Sequence, residues 1–148
     1  MIRRENIIEI KKNVEVIVTG TQVGTTGEVI ETRSFGNLIY KAPYFYVSYE
    51  EKIDKESDKS SKTVLKYTKD ELRVTRKGEV VCSLEFGTDR SYRSMYMTAF
   101  GEFELEMVTD SFHSALSETG AKFFVKYRIG MNSQPLEKQE LRVEIKYL

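Results

Sequence analysis

Tryptophan is absent from this 148-residue chain, and cysteine and histidine occur once each, as Cys82 and His113. A single cysteine excludes an internal disulfide framework and suits a reducing compartment. With one histidine and one cysteine, zinc sites built from several such ligands are excluded as well. Net charge is also missing: 23 Lys+Arg balance 23 Asp+Glu, so no whole-chain field draws polyanions or anionic membranes. No window reaches the ~18 apolar residues of a membrane-spanning helix. The amino-terminal Met1-Ile2-Arg3-Arg4 is basic, but Glu5, Asn6, Glu9, Lys11 and Lys12 interrupt any apolar signal core. These absences lead to the expectation of a soluble cytoplasmic domain with no cofactor, no metal, no membrane partner and no nucleic acid.

What the chain has is aromatic side chains, nine tyrosines and eight phenylalanines, which bury large areas and favour strands. A chain of this length fits one domain and removes roughly 70% of its surface from water on folding. The clearest segment is Phe100 to Val108, where Phe103, Leu105 and Met107 alternate with Glu102, Glu104 and Glu106 behind Gly101. Only a strand, with its period of two, separates those residues into one apolar and one anionic face.

The rest of the chain repeats this pattern. Val14, Val16 and Val18 begin it, after an N-terminal extension over 1–12 that suits a helical turn or a short strand equally. The segment 28–41 has strand composition, with a bulge or bend expected at Gly36-Asn37. The polar run 51–62 reads as an exposed, mobile loop. Short strands follow over 63–67, 71–75 and 79–86, and regular alternation returns over 123–129 and 141–147. Asp110 to Leu116 is ambiguous, since Phe112, Ala115 and Leu116 also suit a helical turn. About nine or ten short strands without a long helix predict an all-β fold, a sandwich or a barrel, with closure favoured because it removes edges. If neighbouring, the acidic face of Glu102, Glu104 and Glu106 would match the basic face of Lys122, Lys126 and Arg128.

The run Phe100-Gly101-Glu102-Phe103-Glu104-Leu105, with Tyr96 four residues before it and Phe86 ten before that, resembles the YwiB-like family of small bacterial proteins. Val47-Ser48-Tyr49-Glu50-Glu51 and the closing strand from Leu141 to Tyr147 are similar to that family too. The resemblance covers about residues 13–148 and implies a single antiparallel calycin-like, lipocalin-like β-barrel of about 8–10 strands. It carries over no catalytic residues. The Gly-x-Trp signature of true lipocalins is missing, so their transport role does not transfer.

Three groups offer chemistry. A Cys82/His113 nucleophile pair requires contact between residues that sequence gives no reason to join, and Cys82 lies on an apolar strand face. The three glutamates read either as a cation site or as a solvated outer face; successive same-face residues stand about 7 Å apart, too far for one strand to chelate an ion. Arg90, Tyr92, Ser94, Tyr96 and Thr98 recur at period two. Directed inward, Arg90, Tyr92, Ser94 and Tyr96 would form a polar wall that orients a ligand; directed outward, they would leave Met95, Met97 and Ala99 inside. Arg33, Arg73, Arg76 and Arg93 read either as an exterior basic patch or, with zero net charge and acidic residues interspersed, as ordinary outer surface, and the second is favoured. The expected function is non-catalytic binding of a small apolar or amphiphilic ligand in the barrel. The alternative is a protein-interaction or assembly module, with a homodimer as a candidate and with Tyr44, Tyr46 and Phe124 on the interface.

Overall fold

The computed structural model describes residues 10–22, 29–52, 60–78 and 80–148. Among them ten strands run in order: β1 (Ile10–Gln22), β2 (Val29–Lys41), β3 (Tyr44–Lys52), β4 (Ser60–Tyr67), β5 (Glu71–Lys77), β6 (Cys82–Gly87), β7 (Ser91–Thr98), β8 (Gly101–Ser117), β9 (Gly120–Met131) and β10 (Glu137–Tyr147). All pairings are antiparallel, in the order β6-β5-β4-β3-β2-β1-β10-β9-β8-β7. The first strand therefore pairs with the last, from Val14↔Tyr147 to Gln22↔Gln139. The two ends of the sheet are β6 and β7, neighbours in sequence. Among the described residues they meet through one bridge, Val81↔Met97, whose two backbone hydrogen bonds are each 2.9 Å. The result is a nearly closed barrel, as the alternation of the sequence predicts.

Alternation decides what fills it. Val14 and Val16 of β1, Leu65 and Tyr67 of β4, Leu105 and Met107 of β8, Val125 of β9 and Ile145 of β10 are all at most 2% exposed and belong to one core. Each such side chain contributes about 1.5–3 kcal/mol by leaving water. Aromatic rings span the interior. Tyr67 stacks on Phe45 at 5.1 Å and meets Phe123 edge-on at 5.2 Å, while Phe86 meets Tyr127 edge-on at 4.9 Å. Phe86 and Tyr127 sit on strands separated by β7 and β8, so this contact crosses the barrel.

Local departures from the sequence reading have physical causes. Asp110 to Leu116 is strand, not helix: a bulge between Thr109 and Ser111 shifts the inward set from odd to even numbers. Met107 and Thr109 face the core before the bulge, and Phe112 and Leu116 pack on it afterwards. That shift produces the spacing that resembles a helical turn. At Gly36-Asn37 the β1–β2 register is continuous, so there is no bulge. Instead, β2 crosses close to β3 there: a Cβ on Gly36 would lie 2.2 Å from the Ser48 carbonyl oxygen.

β1 begins at Ile10 and takes in the last residues of the expected extension; residues 1–9 lie outside the described residues. The expected loop over 51–62 is shorter, because Glu50↔Lys62, Glu51↔Ser61 and Lys52↔Ser60 extend the β3–β4 ladder. Residues 53–59, where the mobile part of that loop was expected, are outside the described residues. β8 and β9 do pair, but Glu106 stands opposite Gly130 rather than a cation. The glutamate row instead faces Arg93 of β7, 3.8 Å from both Glu104 and Glu106.

Candidate functional site

The inner face of β7 consists of Tyr92, Ser94 and Tyr96, opposite Met107, Leu105 and Phe103 of β8. Met95 and Met97 are the outward pair, 45% and 40% exposed. Tyr92 and Tyr96 pack on the core, and Ser94 Oγ donates to the Ser83 carbonyl at 2.8 Å, tying β7 to β6. Arg90 stands apart from these three. It precedes the strand and directs its guanidinium to Glu71 of β5 (3.1 Å) and Glu85 of β6 (3.0 Å). Two carboxylates already hold it, and its backbone carbonyl accepts from Thr109 N at 2.8 Å. Arg90 is thus a clasp on the β6–β7 seam rather than the end of a polar inner wall.

The other candidates separate in the same way. Cys82 pairs with Arg76 on the inner side of β6, where burial pushes its thiol pKa up. His113 lies exposed on the outer face of β8, opposite Phe124, so the fold does not bring thiol and imidazole together. Among the described residues no group of three His, Cys, Asp or Glu side chains gathers as a metal site. The outer aromatics carry their own cations: Lys66 Nζ lies 4.1 Å from the Tyr44 ring and 5.9 Å from Tyr46, and the Arg142 guanidinium lies 4.1 Å from Phe124.

Arg76 is not outer surface, contrary to the reading of its charge. It pairs with Thr63, whose neighbours Leu65 and Tyr67 define the inner face. Its guanidinium approaches Glu51 at 3.7 Å, and its Nε is buried without a hydrogen-bond partner. Thr63 Oγ1 is likewise buried and unpartnered. The neighbouring Tyr49 phenol feels Thr63, but burial dominates and pushes its pKa up to about 12. Tyr49 stands opposite Thr63 in the β3–β4 ladder, so this end of the interior is polar and incompletely satisfied.

At the opposite end, where β1 starts and the β2–β3 and β8–β9 turns lie, the interior opens. A cleft of about 670 Å³ is lined by Leu38, Tyr40, Phe45, Leu116 and Tyr147, with Lys12, Ser117 and Glu118 at its rim. Sequence spacing gives no hint of it, because its residues come from five strands and a turn. Tyr40 stacks on Phe45 at 4.5 Å, continuing the Phe45–Tyr67 stack into the core. Lys12 Nζ stands 5.5 Å from the Tyr147 ring. The Tyr147 hydroxyl shares a hydrogen bond with Tyr67 at 3.1 Å. Arg90, Tyr92, Ser94 and Tyr96 do not line this cleft.

A ten-stranded antiparallel barrel with a filled middle and one aromatic mouth defines the class: a small β-barrel protein. The chain belongs to the family described as domain of unknown function DUF1934, whose model matches residues 13–143. It is 35% identical over 100 residues to the uncharacterized beta-barrel protein YwiB of Bacillus subtilis (strain 168), covering 68% of each chain. It also superposes on the crystal structure of the ywiB protein from Bacillus subtilis with a TM-score of 0.80, at 26% identity and 98% coverage of both chains.

Proposed function

We propose that the protein binds a small apolar or amphiphilic molecule, without catalysis, at the barrel mouth between Tyr40, Phe45, Leu116 and Tyr147. The observation that carries this reading is the cleft itself. It is open to solvent, and its walls are aliphatic and aromatic, so an apolar group laid against them leaves water. An apolar tail fits against Leu38, Phe45 and Leu116. A polar head then meets the rim, where Lys12 and Glu118 offer one charge of each sign. The Tyr67–Tyr147 pair and the rings behind it stop a ligand from passing deeper. The single cysteine, a thiol kept protonated by burial, suits the interior of the cell.

Calorimetric titration with decanoate and with decanol tests the reading. Saturable binding with a negative heat-capacity change is expected, weakened at least about tenfold by Leu116→Lys. Absence of binding by both amphiphiles would count against it. The second reading, an assembly module with a filled barrel and no ligand, is favoured by a different observation: the exposed apolar residues Val29, Ile30 and Phe35 of β2.

A further inference from the structure

β2 is paired with β1 from Ile10↔Tyr40 to Thr21↔Val29. Its other edge is paired with β3 only from Gly36↔Tyr49 to Lys41↔Tyr44. Among the described residues, Val29 to Phe35 therefore has one strand partner and one open edge. Alternate residues of an open edge turn their N–H and C=O groups away from the sheet, where another strand can take them up. Among the described residues this edge is seven residues long, carries neither proline nor lysine, and has Glu31 and Arg33 as its only charges. Val29 is 56%, Ile30 64% and Phe35 70% exposed.

We infer that this edge pairs with the same edge of a second copy of the chain, antiparallel about a two-fold axis through Thr32. Residues 29–35 read Val-Ile-Glu-Thr-Arg-Ser-Phe, and in that register the outer-face residues and Thr32 meet complements, while Ile30 faces the partner's Ser34. Val29 faces the partner's Phe35, Glu31 faces the partner's Arg33, and Thr32 faces the partner's Thr32. Aromatic with β-branched, opposite charges, and Thr with Thr are the cross-strand combinations that stabilise antiparallel ladders. A two-fold contact requires such self-complementarity, since every pairing off the axis occurs twice.

Faces agree as well. Val29, Glu31, Arg33 and Phe35 share the outer face, because their β1 partners Thr21, Thr19, Ile17 and Glu15 alternate with the buried valines. Glu31 and Arg33 already meet within one strand at 3.1 Å, so pairing turns two exposed ion pairs into a network of four charges. This surface is separate from the mouth cleft, and its test is independent of any ligand.

Sedimentation velocity across a concentration series provides that test. Wild type is expected to dimerise reversibly. Glu31→Arg and Arg33→Glu, each placing like charges opposite one another twice, are each expected to weaken the dimer roughly thirtyfold. Mixing the two variants restores opposite charges at every position, so the mixture is expected to form a heterodimer with near wild-type affinity. A wild type that stays monomeric up to about 1 mM, where binding is worth only about 4 kcal/mol, would overturn the inference. A dimer that neither variant weakens would overturn it too, by placing the contact on another surface.

Discussion

Tyr67 and Tyr147 join their hydroxyls at 3.1 Å across the barrel, although their strands β4 and β10 are separated in the sheet by three others. Tyr67 is fully buried, so its hydroxyl has exchanged water for this one partner. The pair links the core to the floor of the mouth cleft, of which Tyr147 is a wall.

Removing one hydroxyl therefore strands the other, and the two losses are not additive. Tyr147→Phe leaves the Tyr67 hydroxyl buried and unpaired, at a cost of about 1–3 kcal/mol. The double change to phenylalanine should cost less than the two single losses added. Urea unfolding of the two single variants and the double variant at neutral pH gives the coupling directly.

Alkaline pH should unfold the protein through its buried phenols. Burial pushes Tyr49 and Tyr127 up to about 12, and burial with the Tyr147 hydrogen bond pushes Tyr67 up as well. An unfolded phenol ionises near 10, so below that value both states hold the proton and stability does not depend on these groups. Above it the unfolded state releases protons that the folded state retains, and stability falls as pH rises. The slope approaches about 1.4 kcal/mol per pH unit for each such phenol. Unfolding free energy is expected to be level from pH 7 to 9 and to fall beyond about 10; a level profile to pH 12 would contradict the assignment.

Arg90 should matter for closure. Its two carboxylates, Glu71 and Glu85, belong to strands on the far side of the β6–β7 seam. Because the guanidinium is 35% exposed, solvent screens the contacts, and Arg90→Ala is expected to cost only about 1 kcal/mol. The more telling readout is hydrogen exchange. The amides of Val81 and Met97, which bridge the seam, should exchange faster in the variant while those of the β1–β10 ladder do not.

Gly36 allows the close approach of β2 and β3. Gly36→Ala would drive a methyl against the Ser48 carbonyl, and a loss of about 2–4 kcal/mol in chemical denaturation is expected. By contrast, Gly20→Ala meets nothing within 4 Å and should be nearly neutral.

The fold was legible because strand alternation is a local property. Phe103, Leu105 and Met107 face the core and their glutamate neighbours face out, as their spacing requires. The segment after them was not legible, since one extra residue near Asp110 changes the phase of the pattern and only the register with β9 reveals it. The inner position of Tyr92, Ser94 and Tyr96 depends on which face of β7 meets the core, and both faces carry apolar side chains. Arg90 continues their period on paper, but the turn before β7, with Asp89 at a φ of 55°, redirects it to Glu71 and Glu85. The mouth cleft was beyond reach of sequence spacing, because Leu38, Phe45, Leu116 and Tyr147 converge only through barrel closure.

The central claim is that binding occurs at the aromatic mouth and not along the β7 wall. Backbone amide NMR during titration with decanoate tests this most directly. The account predicts saturable shifts at Leu38, Phe45, Leu116 and Tyr147, with Tyr92, Ser94 and Tyr96 unmoved. Shifts centred on Tyr92 to Tyr96, or none at the mouth at saturating decanoate, would contradict it.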